Sequence, residues 1–168
     1  MKIFYIFLST IFIIQISISC RADKCEDIIL DMSQSITNCP EGEDKITTCD
    51  DDGQCEIFKQ VSNMPSLNGC TYGGSIECSL TKTQEFLNEN IVYPSCAIEN
   101  GIEGKVKANF IVLKSGCLVG IRVFEDIGYG CGKEVQRAIS TMPAWKSGSR
   151  HNGELVDVQL TIEYVFKI

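Results

Sequence analysis

The sequence predicts an α+β fold of two layers, in which a three-stranded antiparallel sheet is covered by two helices. Three segments alternate apolar and polar residues over strand lengths, and two others repeat apolar residues at helical spacing. An antiparallel sheet with one apolar face needs a cover on that face, and two amphipathic helices supply it. With a further short strand at the front, the expected order is strand, helix, strand, strand, helix, strand.

The first two elements are predicted between residues 55 and 94. Residues 55–61 (CEIFKQV) alternate as a short strand. A helix follows a turn-rich connector, and its apolar face is predicted to consist of Leu80, Phe86, Leu87 and Ile91. Pro94 ends this helix just after Tyr93, because proline cannot continue the helical hydrogen bonds.

The middle of the chain is predicted to be a hairpin. Alternation in its first strand places four residues on the inner face, namely Val106, Ala108, Phe110 and Val112. Ser115 and Gly116 turn the chain. The second strand is expected to continue the inner face through Val119, Ile121 and Val123.

A second helix and a last strand complete the predicted fold. The helix repeats apolar residues at Val135, Ala138, Ile139 and Met142, and it ends at Pro143. The last strand shows the clearest alternation in the chain. Its apolar positions are Val156, Val158, Leu160, Ile162 and Tyr164, and its polar positions are Asp157, Gln159, Thr161 and Glu163.

Residues 1–19 are predicted to be a secretory signal peptide, because Lys2 precedes an apolar run. At about 16 residues this run is shorter than the roughly 20 that span a bilayer. Small residues at its end suit cleavage just before Cys20. The same site resembles a bacterial lipoprotein box, so a lipid on Cys20, an unmodified chain and an uncleaved leader all stay open.

Ten cysteines in an exported chain predict disulfides, because the compartments outside the inner membrane are oxidising. The candidates are Cys49, Cys55, Cys70, Cys78, Cys96, Cys117 and Cys131. We expect a local bridge between Cys70 and Cys78, with Cys131 joined to Cys96 or Cys117. A lipid on Cys20 would leave an odd number of thiols.

Metal binding is disfavoured by the same residues. The chain has no C-x-x-C pair and a single histidine, so the usual ligands of zinc are missing. The stretch CDDDGQC, residues 49–55, lacks the remaining spacing of a twelve-residue calcium loop. A tight turn closed by Cys49 and Cys55 is the favoured interpretation.

The acidic residues are concentrated in the N-terminal part of the chain. The formal net charge is −7, and residues 21–60 hold eleven acids against four bases, whereas residues 61–168 hold eleven against ten. We therefore divide the chain into a leader, a cysteine-rich acidic segment (20–55) and one domain (56–168). A basic footprint is missing from both mature parts, which argues against nucleic acid as a partner.

An ordered set of short motifs resembles the TonB carboxy-terminal domain, in the version common among Bacteroidota, over residues 56–168. The set comprises Tyr93-Pro94, Ala97, Glu99, Gly101-Ile102-x-Gly104, Gly128-x-Gly130-Cys131-Gly132, Met142-Pro143-x-Trp145, Gly148 and the closing strand that ends in Phe166. Gly101 and Gly104 suit tight turning of the backbone. Packing is the favoured role of Tyr93, Pro94 and Trp145.

The resemblance implies a non-enzymatic protein of the periplasm or the membrane-anchored envelope. Members of the family pair a strand with a short segment of an outer-membrane transporter and so open it to siderophores, cobalamin or glycans. An exposed sheet edge binds a strand through its unpaired backbone groups. In this chain the implied edge is the last strand, comprising Val156, Asp157, Val158, Gln159, Leu160, Thr161, Ile162, Glu163 and Tyr164.

The chain departs from the transducer pattern in two respects. It has four prolines in total, too few for a proline-rich spacer across the periplasm, and its leader is short and holds no histidine. Another envelope protein or a second copy of the chain therefore stays open as the partner. The alternative function is a disulfide-stapled exported binding or inhibitor module that is not coupled to transport.

Enzymatic sites are disfavoured, and no cofactor is expected. His151 lies in a polar loop, and no sequence motif identifies a nucleophile that it could activate. Glu125 and Asp126 are adjacent at a strand end, where their side chains point to opposite faces.

Overall fold

A computed structural model describes residues 56–70 and 76–168 of the chain. The leader (1–19), the cysteine-rich segment (20–55), the lipidation site at Cys20 and the Cys49–Cys55 turn lie outside these residues. What the sequence predicts for these segments is therefore not tested by the structure.

Within the two described ranges the chain forms three helices and five strands. In chain order they are α1 (Ile76–Asn90), α2 (Ser95–Glu99), β1 (Gly104–Val112), β2 (Leu118–Glu125), α3 (Cys131–Ser140), β3 (Gly148–Ser149), β4 (Leu155–Val156) and β5 (Val158–Phe166). The main sheet has the order β2-β1-β5, and β3 pairs with β4 separately. The predicted α+β fold with a three-stranded antiparallel sheet is confirmed.

β1 is the central strand, and its alternation matches the prediction. It pairs with β5 in an unbroken antiparallel register from Gly104 opposite Phe166 to Val112 opposite Val158. The four predicted inner residues of β1 are fully buried. The alternation was a reliable signal here because the whole strand lies over the core.

The prediction for β2 is wrong at Val119. The register of β2 against β1 shifts between Asn109 and Ile111, so that Gly120 and Ile121 both lie opposite Phe110. Gly120 has a φ of +61°, which fits a β-bulge with glycine in the left-handed region. The bulge moves Val119 to the outer face, while Leu118 becomes fully buried instead.

Two helices cover the inner face of the sheet. α3 packs on β1 and β2, and α1 packs on α3 and β5. All four predicted core residues of the second helix are fully buried, although Met142 lies just beyond the end of α3. In α1 the buried residues are Ser79, Thr83 and Leu87. The assignment of Leu80 to the apolar face is wrong, since 49% of this residue is exposed.

The first predicted strand is reduced to a single bridge. Phe58 pairs in parallel with Val158 at the start of β5. Its N–H donates to the carbonyl of Asp157 at 3.0 Å, and its carbonyl accepts from the N–H of Gln159 at 2.8 Å. The segment therefore covers only the first residues of the outer edge of β5.

A close turn joins the hairpin to the segment after α3. Gly116, with a φ of +87°, accepts a hydrogen bond at its carbonyl from the N–H of Trp145 at 2.8 Å. The indole of Trp145 packs edge-on against Phe110, with 5.6 Å between the ring centres. This contact places Trp145 at one end of the core.

An ion pair on α3 fixes the end of α1. Arg137 donates to the carboxylate of Glu134 at 2.6 Å and 2.8 Å. The same guanidinium donates to the carbonyl of Asn90 at 2.6 Å, while Glu134 accepts from the N–H of Val92 at 2.7 Å. The pair thereby satisfies the carbonyl of Asn90, which the end of α1 leaves open, and the N–H of Val92 in the following segment.

The cysteines confirm one prediction and contradict another. Cys70 and Cys78 form a disulfide across a sequence separation of eight residues. Cys96 and Cys117 each take part in a further disulfide. Cys131 is a free thiol instead of their partner, because the first turn of α3 places it fully in the core.

The Cys131 thiol is expected to resist alkylation in the folded protein. Burial, with a smaller contribution from Asp126, raises its pKa from 9.0 to about 11, so the reactive thiolate is scarce near neutral pH. Because this pKa lies above that of an unfolded thiol, rising pH favours unfolding between about 9 and 11. Iodoacetamide at pH 8, followed by peptide mapping, should label Cys131 only in denaturant. Stoichiometric labelling of the native protein would contradict this assignment.

Candidate partner-binding edge

β5 forms one edge of the main sheet. β1 pairs with it on one side along its whole length. On the other side, within the described residues, only Phe58 pairs with it, at the first residues of the strand. No other strand of residues 56–70 or 76–168 lies beside the rest of that side.

The bonds to Phe58 show which backbone groups face outward. Alternate residues of an antiparallel strand direct both the N–H and the C=O to the same side. Since Gln159 donates outward to Phe58, the next outward residues are Thr161, Glu163 and Val165. Their outward N–H and C=O groups have no backbone partner among the residues that the structure describes. Three successive residues therefore offer a ladder for a further strand.

The structure narrows the predicted edge of nine residues. Val156 belongs to β4 and pairs with Gly148. The side chain of Asp157 is fully buried and accepts from the N–H of Lys114 at 2.9 Å. The backbone at Asp157 and Gln159 is bonded to Phe58. The open part of the edge runs from residue 160 to residue 166 and extends beyond Tyr164.

Ion pairs across the outer face occupy the charged side chains beside this edge. Lys105 lies 2.8 Å from Glu163, and Lys107 lies 2.7 Å from Glu125 and 3.9 Å from Glu163. The hydrogen bond from Lys105 lowers the pKa of the Glu163 carboxyl. These exposed pairs add little stability. They hold the carboxylate of Glu163 over the outer face of the sheet, whereas its backbone N–H and C=O point to the open edge.

A groove runs along the edge and has a volume of about 530 Å³. Its walls come from α1, from Trp145, from β5, from Lys59 and Met64, and from Asn109 of β1 and Phe124 of β2. The apolar lining residues include Met64, Ile76, Leu80, Leu160 and Ile162. Leu80, which is 49% exposed, is one of these lining residues.

Two buried polar atoms of groove residues have no hydrogen-bond partner. They are the hydroxyl oxygen of Ser79 and the indole nitrogen of Trp145. Ser79 is 1% exposed and Trp145 is 5% exposed, and both line the groove. A buried donor without an acceptor costs about 1–3 kcal/mol. No pattern in the sequence marks this pair, since its burial depends on tertiary packing.

Most residues of the motif that carried the family resemblance have packing roles. Tyr93 donates its hydroxyl hydrogen bond to the carbonyl of Ile102 and packs on Phe166, with ring centres 5.0 Å apart. Pro94 accepts at its carbonyl from Ala97 and Ile98 in α2. Tyr164 also packs on Phe166, and burial raises its pKa.

The glycine, methionine and proline of the motif lie where the chain changes direction or ends a helix. Gly101 and Gly104 both have positive φ, at +62° and +150°. Met142 is fully buried, and Pro143 follows it after the end of α3.

The residues considered as catalytic candidates make contacts of the kind that stabilise the fold. Glu125 is paired with Lys107, and Asp126 accepts from the N–H of Gly128 at 3.1 Å. His151 is exposed in a turn beside Arg150, whose guanidinium lies 5.6 Å from the centre of the Phe58 ring. No group of three or more potential metal ligands occurs within residues 56–70 and 76–168. The same residues include no helix that is long and apolar enough to cross a membrane.

An open sheet edge flanked by a groove defines a class of protein-interaction domain. Residues 89–168 match the family model of the Gram-negative bacterial TonB protein C-terminal. The match confirms the predicted resemblance to the TonB C-terminal domain over this segment, which is an interaction domain of the cell envelope. The family is not enzymatic. A comparison with curated proteins gives no match.

Proposed function

We propose that this domain binds an extended segment of an envelope partner by adding it to the sheet as a fourth strand beside β5. The observation that carries the proposal is the outward backbone of Thr161, Glu163 and Val165, which has no partner among the described residues. An added strand would satisfy these groups without requiring a particular sequence. Edges that avoid pairing are usually covered or charged, whereas among the described residues no strand pairs with this edge beyond the bridge to Phe58.

The partner we propose is the short segment at the plug-proximal end of an outer-membrane transporter. The match of residues 89–168 to the TonB C-terminal family model supports this choice. Binding at that site links the protein to transport across the outer membrane. The proposed location is the periplasm, with the domain free or held at the membrane by its leader or by a lipid on Cys20.

The test uses peptides copied from those segments of the transporters encoded in the same genome. Calorimetry should show binding, and hydrogen exchange should show new protection of the N–H groups of Thr161, Glu163 and Val165. The matched control is the same peptide with N-methyl groups on the bonds that face β5, which removes its donors. That control should not protect the three amides.

Two outcomes would overturn the proposal. Absence of heat and of protection with every such peptide would favour the alternative, a disulfide-stapled binding or inhibitor module. Protection of the same amides by raising the protein concentration alone would identify a second copy as the occupant. Sedimentation at the same concentrations distinguishes that dimer from the monomer.

A further inference from the structure

We propose that the cysteine-rich segment (20–55) is fastened by disulfides to both ends of the main sheet. Cys96 and Cys117 are the two attachment points on the domain. Their partners in the segment are Cys25 and Cys39. The segment is then a cross-linked part of the interaction domain and not a free spacer in front of it. This inference goes beyond the proposed strand addition and does not depend on it.

The bonding state of the cysteines in the domain leaves two of them to be assigned. Cys70 and Cys78 are bonded to each other, and Cys131 is a free thiol. Cys96 and Cys117 each take part in a disulfide, and no further cysteine occurs between residues 56 and 168. These two are therefore bonded either to each other or to cysteines outside the domain.

The fold places Cys96 and Cys117 at opposite ends of β1. Cys96 lies in α2, just before β1 begins. The carbonyl of its neighbour Ala97 accepts from the N–H of Ile102 at 2.9 Å, which holds α2 to the start of β1. Cys117 accepts at its carbonyl from the N–H of Leu113 at 2.8 Å, directly after β1 ends.

This separation excludes a bond between Cys96 and Cys117. The nine residues of β1 rise about 3.3 Å each, so its two ends lie roughly 26 Å apart. A disulfide needs only about 4.4–6.8 Å between its Cα atoms. Within one chain, each of the two therefore has its partner among the cysteines of the segment, which are Cys20, Cys25, Cys39, Cys49 and Cys55.

The segment joins the domain close to one attachment point. The carbonyl of Asp157 accepts from the N–H of Phe58 at 3.0 Å, and its carboxylate accepts from the N–H of Lys114 at 2.9 Å. Lys114 and Cys117 belong to the same turn between β1 and β2. Because Cys117 is 2% exposed, a cysteine bonded to it packs against this end of the sheet.

Chain length favours Cys25 and Cys39 as the partners. The fourteen residues from 25 to 39 extend up to about 46–50 Å, which is enough to reach from one end of β1 to the other. The six residues from 49 to 55 extend only about 20–22 Å, which suits the local turn predicted for Cys49 and Cys55.

This assignment also accounts for the odd number of thiols that a lipid on Cys20 would leave. With Cys25 and Cys39 bonded to the domain, and with the two local bridges, Cys20 and Cys131 have no disulfide partner. Cys131 is buried in the core as a free thiol. A lipid on Cys20 is therefore compatible with the count.

Fastening limits the reach of the N-terminal part of the chain. Unbonded, the 36 residues of the segment would extend about 120–130 Å. Bonded at Cys25, only the residues ahead of that position remain as a tether. A domain held by its leader or by a lipid on Cys20 then stays close to that membrane. The unit is assembled only where the compartment is oxidising.

The first test cuts the chain between the segment and the domain. A recognition sequence for a site-specific protease is inserted after Gln60, which is exposed. After cleavage of the oxidised protein, a denaturing gel should show one species without reductant and two species with it. Separation without reductant would overturn the proposal. A species of twice the chain mass before cleavage would assign the bridges to a second copy and would overturn it as well.

The second test removes the attachment points. Cys96→Ser and Cys117→Ser should each leave the cleaved segment attached through the other bridge, whereas the double variant should release it. The matched control replaces both Cys70 and Cys78 by serine, which removes a bridge within the domain and should leave the segment attached. Retention of the segment by the double variant would contradict the assignment.

Peptide mapping of the unaltered protein under non-reducing conditions needs no substitution, so it decides the question if a Cys117 variant fails to fold. We expect the peptides that contain Cys96 and Cys117 to be joined to those that contain Cys25 and Cys39. A peptide that joins Cys96 to Cys117 would overturn the proposal. None of these measurements involves a guest strand, so their outcome is independent of strand addition.

Discussion

Replacing Gly116 with alanine is expected to destabilise the domain by about 3 kcal/mol or more, the range of severe single substitutions. Two costs combine. The φ of +87° is strained for an L-residue, and an added Cβ would lie 1.9 Å from the carbonyl oxygen of Trp145. The backbone of one segment would have to move, which would also disturb the hydrogen bond between Trp145 and Gly116. Urea unfolding, with the disulfides intact, measures the loss.

Gly153→Ala is the matched control for this prediction. Gly153 has nearly the same φ, +83°, but nothing lies within 4 Å of a Cβ built at that position. Its substitution should therefore cost only the conformational strain, about 1–2 kcal/mol. Equal losses in the two variants would contradict the role assigned to the contact between Gly116 and Trp145.

The sequence predicted the central and last strands because apolar and polar residues alternate along both. Every second residue of β1 is buried, and β5 follows it in an unbroken register. The disulfide between Cys70 and Cys78 was predictable because it is local. The disulfide depends on residues that are close in the sequence, and the strands depend on a two-residue alternation of apolar and polar residues.

The predictions were wrong at residues whose position depends on tertiary contacts. A bulge at Gly120 moves Val119 to the other face, and the alternation continues so evenly that no pattern marks the shift. Leu80 fits a helical face by spacing, but that face extends past the last strand of the sheet. Cys131 has the right residue type for a bridge, but the start of α3 turns it into the core.

The candidate site was predictable only in part. The pattern and the family resemblance indicated the last strand, but Phe58 covers its beginning, a contact across about 100 residues of chain. The three open residues were identified from the direction of the bonds to Phe58. The unpaired atoms of Ser79 and Trp145 could not have been found in the sequence, because ordinary core residues look the same there.

Thr161→Pro is expected to weaken peptide binding by more than tenfold while the domain stays folded. The N–H of Thr161 faces outward, so proline removes a donor to the guest strand without removing a bond to β1. The proline ring also occupies space where the guest backbone would approach. A lost hydrogen bond is worth about 0.5–1.5 kcal/mol, and the steric obstruction adds to it.

Thr161→Val separates the backbone effect from the side chain. Valine has nearly the shape of threonine and keeps the N–H, so binding should stay within about twofold of wild type. Proline is tolerated on edge strands, and the unfolding free energy of Thr161→Pro should fall by roughly 1 kcal/mol, comparable to other moderate substitutions. Calorimetry with the same peptide and urea unfolding give both quantities. If the proline variant binds as tightly as the valine variant, the guest does not pair with this edge, since no added strand can bond to an amide that lacks its hydrogen.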